Sequence, residues 1–205
     1  IAHLYGLTEE EFQHVLSTFP LVDQSVKDAA LAEYISRLPD PADHQVRQMI
    51  ESGESANVEF KQAFRWNAFG KAKDGSPSAA VTHAVAAFMN SYEGGTILIG
   101  VANDGSIPGL AGDYEAVDAR DPGRDTYERT LRNTLNSALG TDCAPLYTFS
   151  FHRLDGRDVC RIVVQPAPRP VYVNGDLHVR DGNGKRKLSA QDASRYTHRR
   201  WPNII

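Results

Sequence analysis

The stretch ESANVEFK, residues 54–61, sets two carboxylates and a lysine inside eight positions. From Asn57 onward it alternates as a half-buried strand does, so Val58 and Phe60 are expected to face the core while Glu59 and Lys61 share the other face. A glutamate beside a lysine suits phosphodiester chemistry. The acid holds a divalent cation, and the lysine steadies an attacking water or the phosphate. Glu–Lys neighbours on a strand are also common solvated decoration, so the stretch alone leaves both readings open.

Upstream of this strand, residues 42–52 read as a short helix closed by Gly53. Downstream, residues 65–77 read as a loop in which Trp66 and Phe69 stand beside Lys71 and Lys73. Residues 78–90 show a helical apolar stripe of Val81, Ala84, Val85 and Phe88. A turn at Glu93-Gly94-Gly95 leads to residues 96–101, TILIGV, which lack polar alternation and are expected to be a strand buried on both faces. Asp104-Gly105 marks a turn, and residues 118–124 a polar loop. Asp125 is expected to cap a helix that buries Tyr127, Leu131, Leu135 and Ala138. Tyr147, Phe149 and Phe151 alternate as a strand, and Asp155-Gly156 turns the chain back into residues 159–164. Short strands follow near 171–173 and 177–180. A tight turn of Gly182, Asn183 and Gly184 is expected to hold Arg180, Lys185, Arg186 and Lys187 at a loop tip, and Ser189 opens a final helix running to Arg199.

At the other end, Thr8 and Glu11 make a capping box, followed by Phe12, Val15, Leu16 and Phe19 at helical spacing up to Pro20. A second helix is expected over 23–37, with Leu31, Tyr34, Ile35 and Leu38 on one face. Pro39-Asp40-Pro41 reads as a linker. The expected organisation is therefore a two-helix appendage, residues 1–40, ahead of one α+β domain, residues 41–205, with a mixed sheet flanked by helices.

With 41% apolar and 23% charged residues, 205 positions suffice for a real core, and no apolar run is long enough to span a bilayer. Because the sequence opens on Ile1 rather than Met, a piece of a longer protein is expected. Cys143 and Cys160 form no CxxC pair, which points away from zinc and disulfide frameworks and towards a reducing, cytoplasmic setting. No GxGxxG, Walker-type, HExxH or GxSxG pattern is present. The net charge of −4 hides an asymmetry: residues 169–200 carry eight basic against three acidic side chains. Arg180, Lys185, Arg186 and Lys187, extended by Arg195, Arg199 and Arg200, suit phosphate oxygens. Asp104, just past the buried strand, is the third acid that can converge with Glu54 and Glu59 to bind Mg²⁺ or Mn²⁺.

Three segments in order, ESANVEFK, then AFMNSYEGGTILIGVANDGSIPGL (87–110), then DLHVRDGNGKRKLS (176–189), resemble the Schlafen AlbA-type domain over about residues 44–200. The resemblance implies nucleic-acid binding. In the animal Schlafens that cleave RNA it also implies a metal site of two glutamates five apart and an aspartate after the buried strand. Those positions fall here on Glu54, Glu59 and Asp104, with Lys61 beside them; the animal nucleases pair two such lobes and this chain holds one. The opening AHLYGLTEEEFQHVLSTFPLV resembles the segment that follows the catalytic domain in adenine-specific DNA methyltransferases of restriction–modification or defence systems. That implies an upstream methyltransferase region as partner, although no AdoMet-binding loop or NPPY-type motif occurs in this sequence. The leading expectation is a nucleic-acid-binding module with DNA or RNA as partner. A Glu-Glu-Asp metal-dependent nuclease is the alternative, and a docking or homodimerisation domain the second.

Overall fold

The computed structural model describes residues 5–36, 40–65 and 77–203. The expected Trp66–Lys73 cluster and Leu38 lie outside the described residues. The chain divides into two compact units, Ile1–His44 and Gln45–Ile205.

In the first unit, α1 (Glu9–Ser17) starts at the expected capping box: the Glu11 amide donates to Thr8 Oγ1 and the Thr8 amide to Glu11 Oε2. It packs on α2 (Gln24–Ser36) through Phe12 and Tyr34, whose ring centroids lie 4.4 Å apart. The Tyr34 hydroxyl donates to the Leu7 carbonyl. Not every expected apolar position is covered: Val15, Phe19 and Ile35 remain exposed, because the two helices share only a narrow seam.

The second unit is built on a mixed four-stranded sheet. The order is β1 (Val58–Lys61), β2 (Gly95–Ile99), β4 (Arg157–Val164) and β3 (Tyr147–Leu154). β1 runs parallel to β2, with Glu59 opposite Ile97, while β2–β4 and β4–β3 are antiparallel. Asp155 and Gly156, both at positive φ, make the expected tight hairpin turn. β2 is buried on both faces as its composition implies. Ile97 and Ile99 join the larger core, whereas Leu98 and Val101 join a second layer with Phe60, Val159 and the Val46 and Ile50 side chains of α3 (Pro41–Ser52).

A three-stranded antiparallel sheet follows, of β5 (Tyr172–Val173), β6 (Asp176–Asp181) and β7 (Gly184–Lys187), then α7 (Ala190–Arg200) capped by Ser189. Helix α4 (Pro77–Asn90) contacts strands of both sheets. Every residue from Ala84 to Asn90 is consequently buried, not only the predicted stripe, since the second sheet covers what would otherwise be the solvent side. The small side chains of Ala84, Ala86 and Ala87 let backbone approach from each direction. Gly94 and Gly95 allow the sharp return into β2. A Cβ on Gly95 would sit 2.2 Å from the Phe88 ring.

Three elements depart from expectation. A helix α5 (Ala111–Val117) lies where the sequence offers no side-chain cap, because Leu110 occupies the cap position. Helix α6 (Arg124–Leu139) starts from Gly123, so Asp125 sits in the first turn and favours the helix dipole without capping it. Residues 184–187 are a strand and not a loop tip, because the tight turn at Gly182 folds them back on β6.

Asn90 ties these layers together. Its amide nitrogen donates to the Val171 and His178 carbonyls at 2.8 and 2.9 Å, and its oxygen accepts from the Val171 amide at 2.9 Å. Asn90→Ala strands three buried backbone groups, each worth roughly 1–3 kcal/mol when left unsatisfied. The expected loss is at least about 3 kcal/mol, read as a lowered urea midpoint with unchanged slope. A loss below about 1 kcal/mol would mean that the two sheets are joined by something else.

Candidate nucleic-acid interface

β1 is an edge strand, so its outward amides need partners from outside the sheet. The Phe60 amide donates to Glu54 Oε1 at 2.7 Å. Glu54 is therefore a backbone-satisfying group at the strand edge. Glu59 and Lys61 share a face as the alternation predicted: Lys61 Nζ donates to Glu59 Oε1 at 2.6 Å. Glu59 is nonetheless 4% exposed, because the second sheet brings a further cation over it. Arg180 of β6 donates from Nη1 to Glu59 Oε2 at 2.5 Å. The same guanidinium reaches the Ser55 and Ala56 carbonyls and lies 4.5 Å from the Phe88 ring centroid. Lys185 Nζ stands 3.8 Å from Glu59 Oε1. One carboxylate thus gathers Lys61, Arg180 and Lys185.

Burial pushes the Glu59 carboxyl up, but hydrogen bonds from Lys61 and Arg180 and their charges outweigh it and hold the group below its ordinary value. Lys185 is depressed first by burial and then by the Lys61 charge, with Arg180 adding to the crowding; Glu59 and Glu54 oppose the shift. Lys185 is the cation that this cluster neutralises least.

β7 divides the remaining basic residues between two faces. Lys185 pairs opposite Arg180 and Lys187 opposite His178, so these four share the α4 side. Arg186 lies opposite Val179 on the α7 side. Lys187 bonds Asp176 and Arg186 bonds Asp181, both as exposed pairs of small net worth. Arg195 stands near Asp192 at 3.9 Å, and Arg199 lies 6.0 Å from the Tyr196 ring centroid. Arg200 is engaged with the Ser91 carbonyl. His178 stacks on His83 of α4 at 4.1 Å. Burial leads the causes that hold both imidazoles below their usual value.

Asp104 does not join Glu54 and Glu59. It is exposed, and its Oδ1 accepts from the Ser106 amide and hydroxyl, whose bonds hold its carboxyl low. A divalent cation at Glu54, Glu59 and Asp104, the alternative that the sequence left open, does not fit these side chains. Both Glu59 oxygens are covered by cations, Glu54 serves the Phe60 amide, and Asp104 closes its own turn. Among the described residues no group of three or more His, Cys, Asp or Glu side chains is placed to hold a metal ion.

The family described as Schlafen, AlbA_2 matches residues 54–189, from Glu54 to the cap of α7. The chain belongs to that family. A Schlafen AlbA_2 domain is a nucleic-acid-binding, nuclease-like domain, and the matched span holds Glu59 and every cation gathered on it. Six chains of solved structures match as well. One is the DIP2311 protein from Corynebacterium diphtheriae, with a TM-score of 0.51 and 22% identity over 76% of this chain and 28% of that one. This second likeness shows the fold alone, and the present chain spans under a third of that protein. No curated protein matches the sequence. No helix among the described residues is long and apolar enough to cross a membrane.

What the sequence did not reveal was the Glu59–Arg180 pair, made by residues 121 positions apart. Nor did it reveal a second charged cluster, in which Asp158 accepts from Arg124, Tyr114 and Arg153 beside a cavity of about 230 Å³. Asp158 reads locally as an ordinary strand residue.

Glu59 ionised is the form that the native state favours. Its contribution is present above the ordinary glutamate value of about 4.3 and is lost as pH falls through its lower native value. Glu59→Gln removes the counter-charge of a buried group and should cost about 3–5 kcal/mol at neutral pH. The gap to wild type should narrow as pH drops from about 5 to about 3. Denaturant midpoints across that series check it, and a gap independent of pH would refute the ionised pair.

Proposed function

We propose that this chain is a nucleic-acid-binding module that grips phosphate oxygens of DNA or RNA with weak sequence specificity. The observation that carries it is the convergence of Lys61, Arg180 and Lys185 on the single carboxylate of Glu59. That cluster holds surplus positive charge, and Lys185 is depressed first by burial and then by the Lys61 charge. A phosphate oxygen at Lys185 relieves the repulsion and supplies the missing counter-charge. Arg180 is buried and positions the others. Lys187 and Arg186 exchange their weak surface pairs for phosphate at little cost, and Arg195 and Arg199 extend the contact along α7. Long cations contacting phosphates carry no base information, which makes binding sequence-tolerant.

The finer proposal places this module at the C-terminal side of a DNA methyltransferase-like restriction–modification or defence protein. Its support is the resemblance of residues 1–38 and the capped helix pair Glu9–Ser17 and Gln24–Ser36 within them. The unit would dock the module to the upstream region. The metal-dependent nuclease is the less supported reading, because among the described residues no three-carboxylate set is placed to hold a cation.

Fluorescence anisotropy across a salt series tests the phosphate grip. Lys185→Ala/Arg186→Ala/Lys187→Ala should weaken binding and lower the log–log salt slope by about 0.7–0.9 for each phosphate that the variant no longer neutralises. Chelation of divalent cations with EDTA should leave affinity unchanged. Unchanged slope in the triple variant would remove the assigned surface.

A further inference from the structure

We infer that the pocket between β5 and the last turn of α7 is a stacking slot for one unpaired nucleobase, so that the module prefers single strands over duplex; this rests on the phosphate-gripping function above. Tyr172 lies opposite Leu177 across the β5–β6 pair, and cross-strand partners share a face. Leu177 packs towards α7, which puts Tyr172 on that side too. Tyr172 is 47% exposed. Pro170, Tyr172, Thr197, His198, Trp201 and Pro202 enclose about 190 Å³. Drug-sized ligands occupy roughly 300–1,000 Å³; this slot takes one planar ring system and no more.

The lining is suited to stacking and not to reading. Trp201 forms the buried side, and its indole N–H is already engaged by the Ala167 carbonyl. The Thr197 hydroxyl and the His198 Nδ1 are both turned to the Ser194 carbonyl. Trp201 is buried and has the Arg200 guanidinium 4.9 Å over its ring, so the slot offers the exposed Tyr172 ring and proline edges but few free donors, which suits any base. Charge complementarity selects the occupant. At 100° per residue, Arg195 and Arg199 fall on the solvent-facing arc of α7 next to His198. A base inserted beside Tyr172 brings its flanking phosphates to those arginines. Aromatic platforms interleaved with cations are how sequence-tolerant single-strand binding is achieved.

The test uses three probes of equal length: a single strand of oligothymidylate, the same backbone carrying abasic sites, and a duplex. Wild-type protein should bind the thymidylate strand on the order of tenfold tighter than the abasic strand. Tyr172→Ala should abolish that difference while leaving abasic and duplex affinities and the salt slope unchanged. Tyr172→Phe, which keeps the ring, should keep the preference. Equal wild-type affinity for the thymidylate and abasic strands would overturn the slot while leaving the phosphate reading intact. Binding to none of the three would overturn both. If Tyr172→Ala instead leaves strand binding alone and breaks self-association in sedimentation, the slot belongs to a second copy and the inference falls.

Discussion

A helix that must satisfy two sheets at once is the constraint from which the rest of this domain follows. The four-stranded and three-stranded sheets are separate hydrogen-bonded systems, and α4 lies against both. Apolar packing of Val81, Val85, Phe88 and Met89 holds them together without fixing direction. Asn90 supplies the direction. Its side chain engages both polar groups of Val171 and the His178 carbonyl, and its own carbonyl accepts from Tyr196 of α7. One amide at the helix end thereby sets where β5, β6 and α7 sit against the larger sheet.

That placement explains the chemistry at Glu59. A glutamate on an isolated edge strand would be solvated, and its lysine neighbour would be surface decoration. With β6 fixed by Asn90, Arg180 arrives over β1 and covers the carboxylate. Burial alone would neutralise such a group; paired and hydrogen-bonded, it stays ionised. Buried ion pairs contribute little net stability against an apolar alternative. A cluster with three cations on one carboxylate is therefore poorly explained as a device for stability. On the proposed function it is a surface poised for an incoming anion, with Glu59 fixing the cations and Arg180 reaching it from the second sheet.

The sequence was most legible where one residue pattern has one physical outcome. TILI within TILIGV became the doubly buried strand, which ends at Ile99 before the positive-φ Gly100; the Thr8–Glu11 box opened a helix, and Asp155-Gly156 turned a hairpin. The pairing of Glu59 with Lys61 followed from period two alone. Local signals failed where tertiary partners decide. Ala86 and Ala87 read as the outer face of α4, and nothing nearby announces the second sheet that buries them. Asp104 and Asp158 are equally plain in sequence. One closes its own Asx turn with Ser106, and the other draws Arg124 and Tyr114 from distant helices and Arg153 from its hairpin partner. Convergence of Glu54, Glu59 and Asp104 required knowing what else competes for each carboxylate, and a single sequence carries no record of that competition.

The strand character of residues 184–187 has a consequence for how a polymer would lie on this domain. A loop tip would present Lys185, Arg186 and Lys187 as one undirected cluster. A strand sends them alternately to opposite faces, Lys185 and Lys187 with Arg180 and Glu59, Arg186 with Val179 and α7. β7 is also the outer strand of its sheet, so both faces are reached around a single edge. A stiff duplex approaching one side meets either the Glu59 cluster or the α7 arginines. A flexible strand can bend around β7 and meet both, with its phosphates spaced by a backbone free to adjust. If the proposed phosphate grip holds, edge topology and residue parity favour a pliable polyanion, independently of any contact with a base.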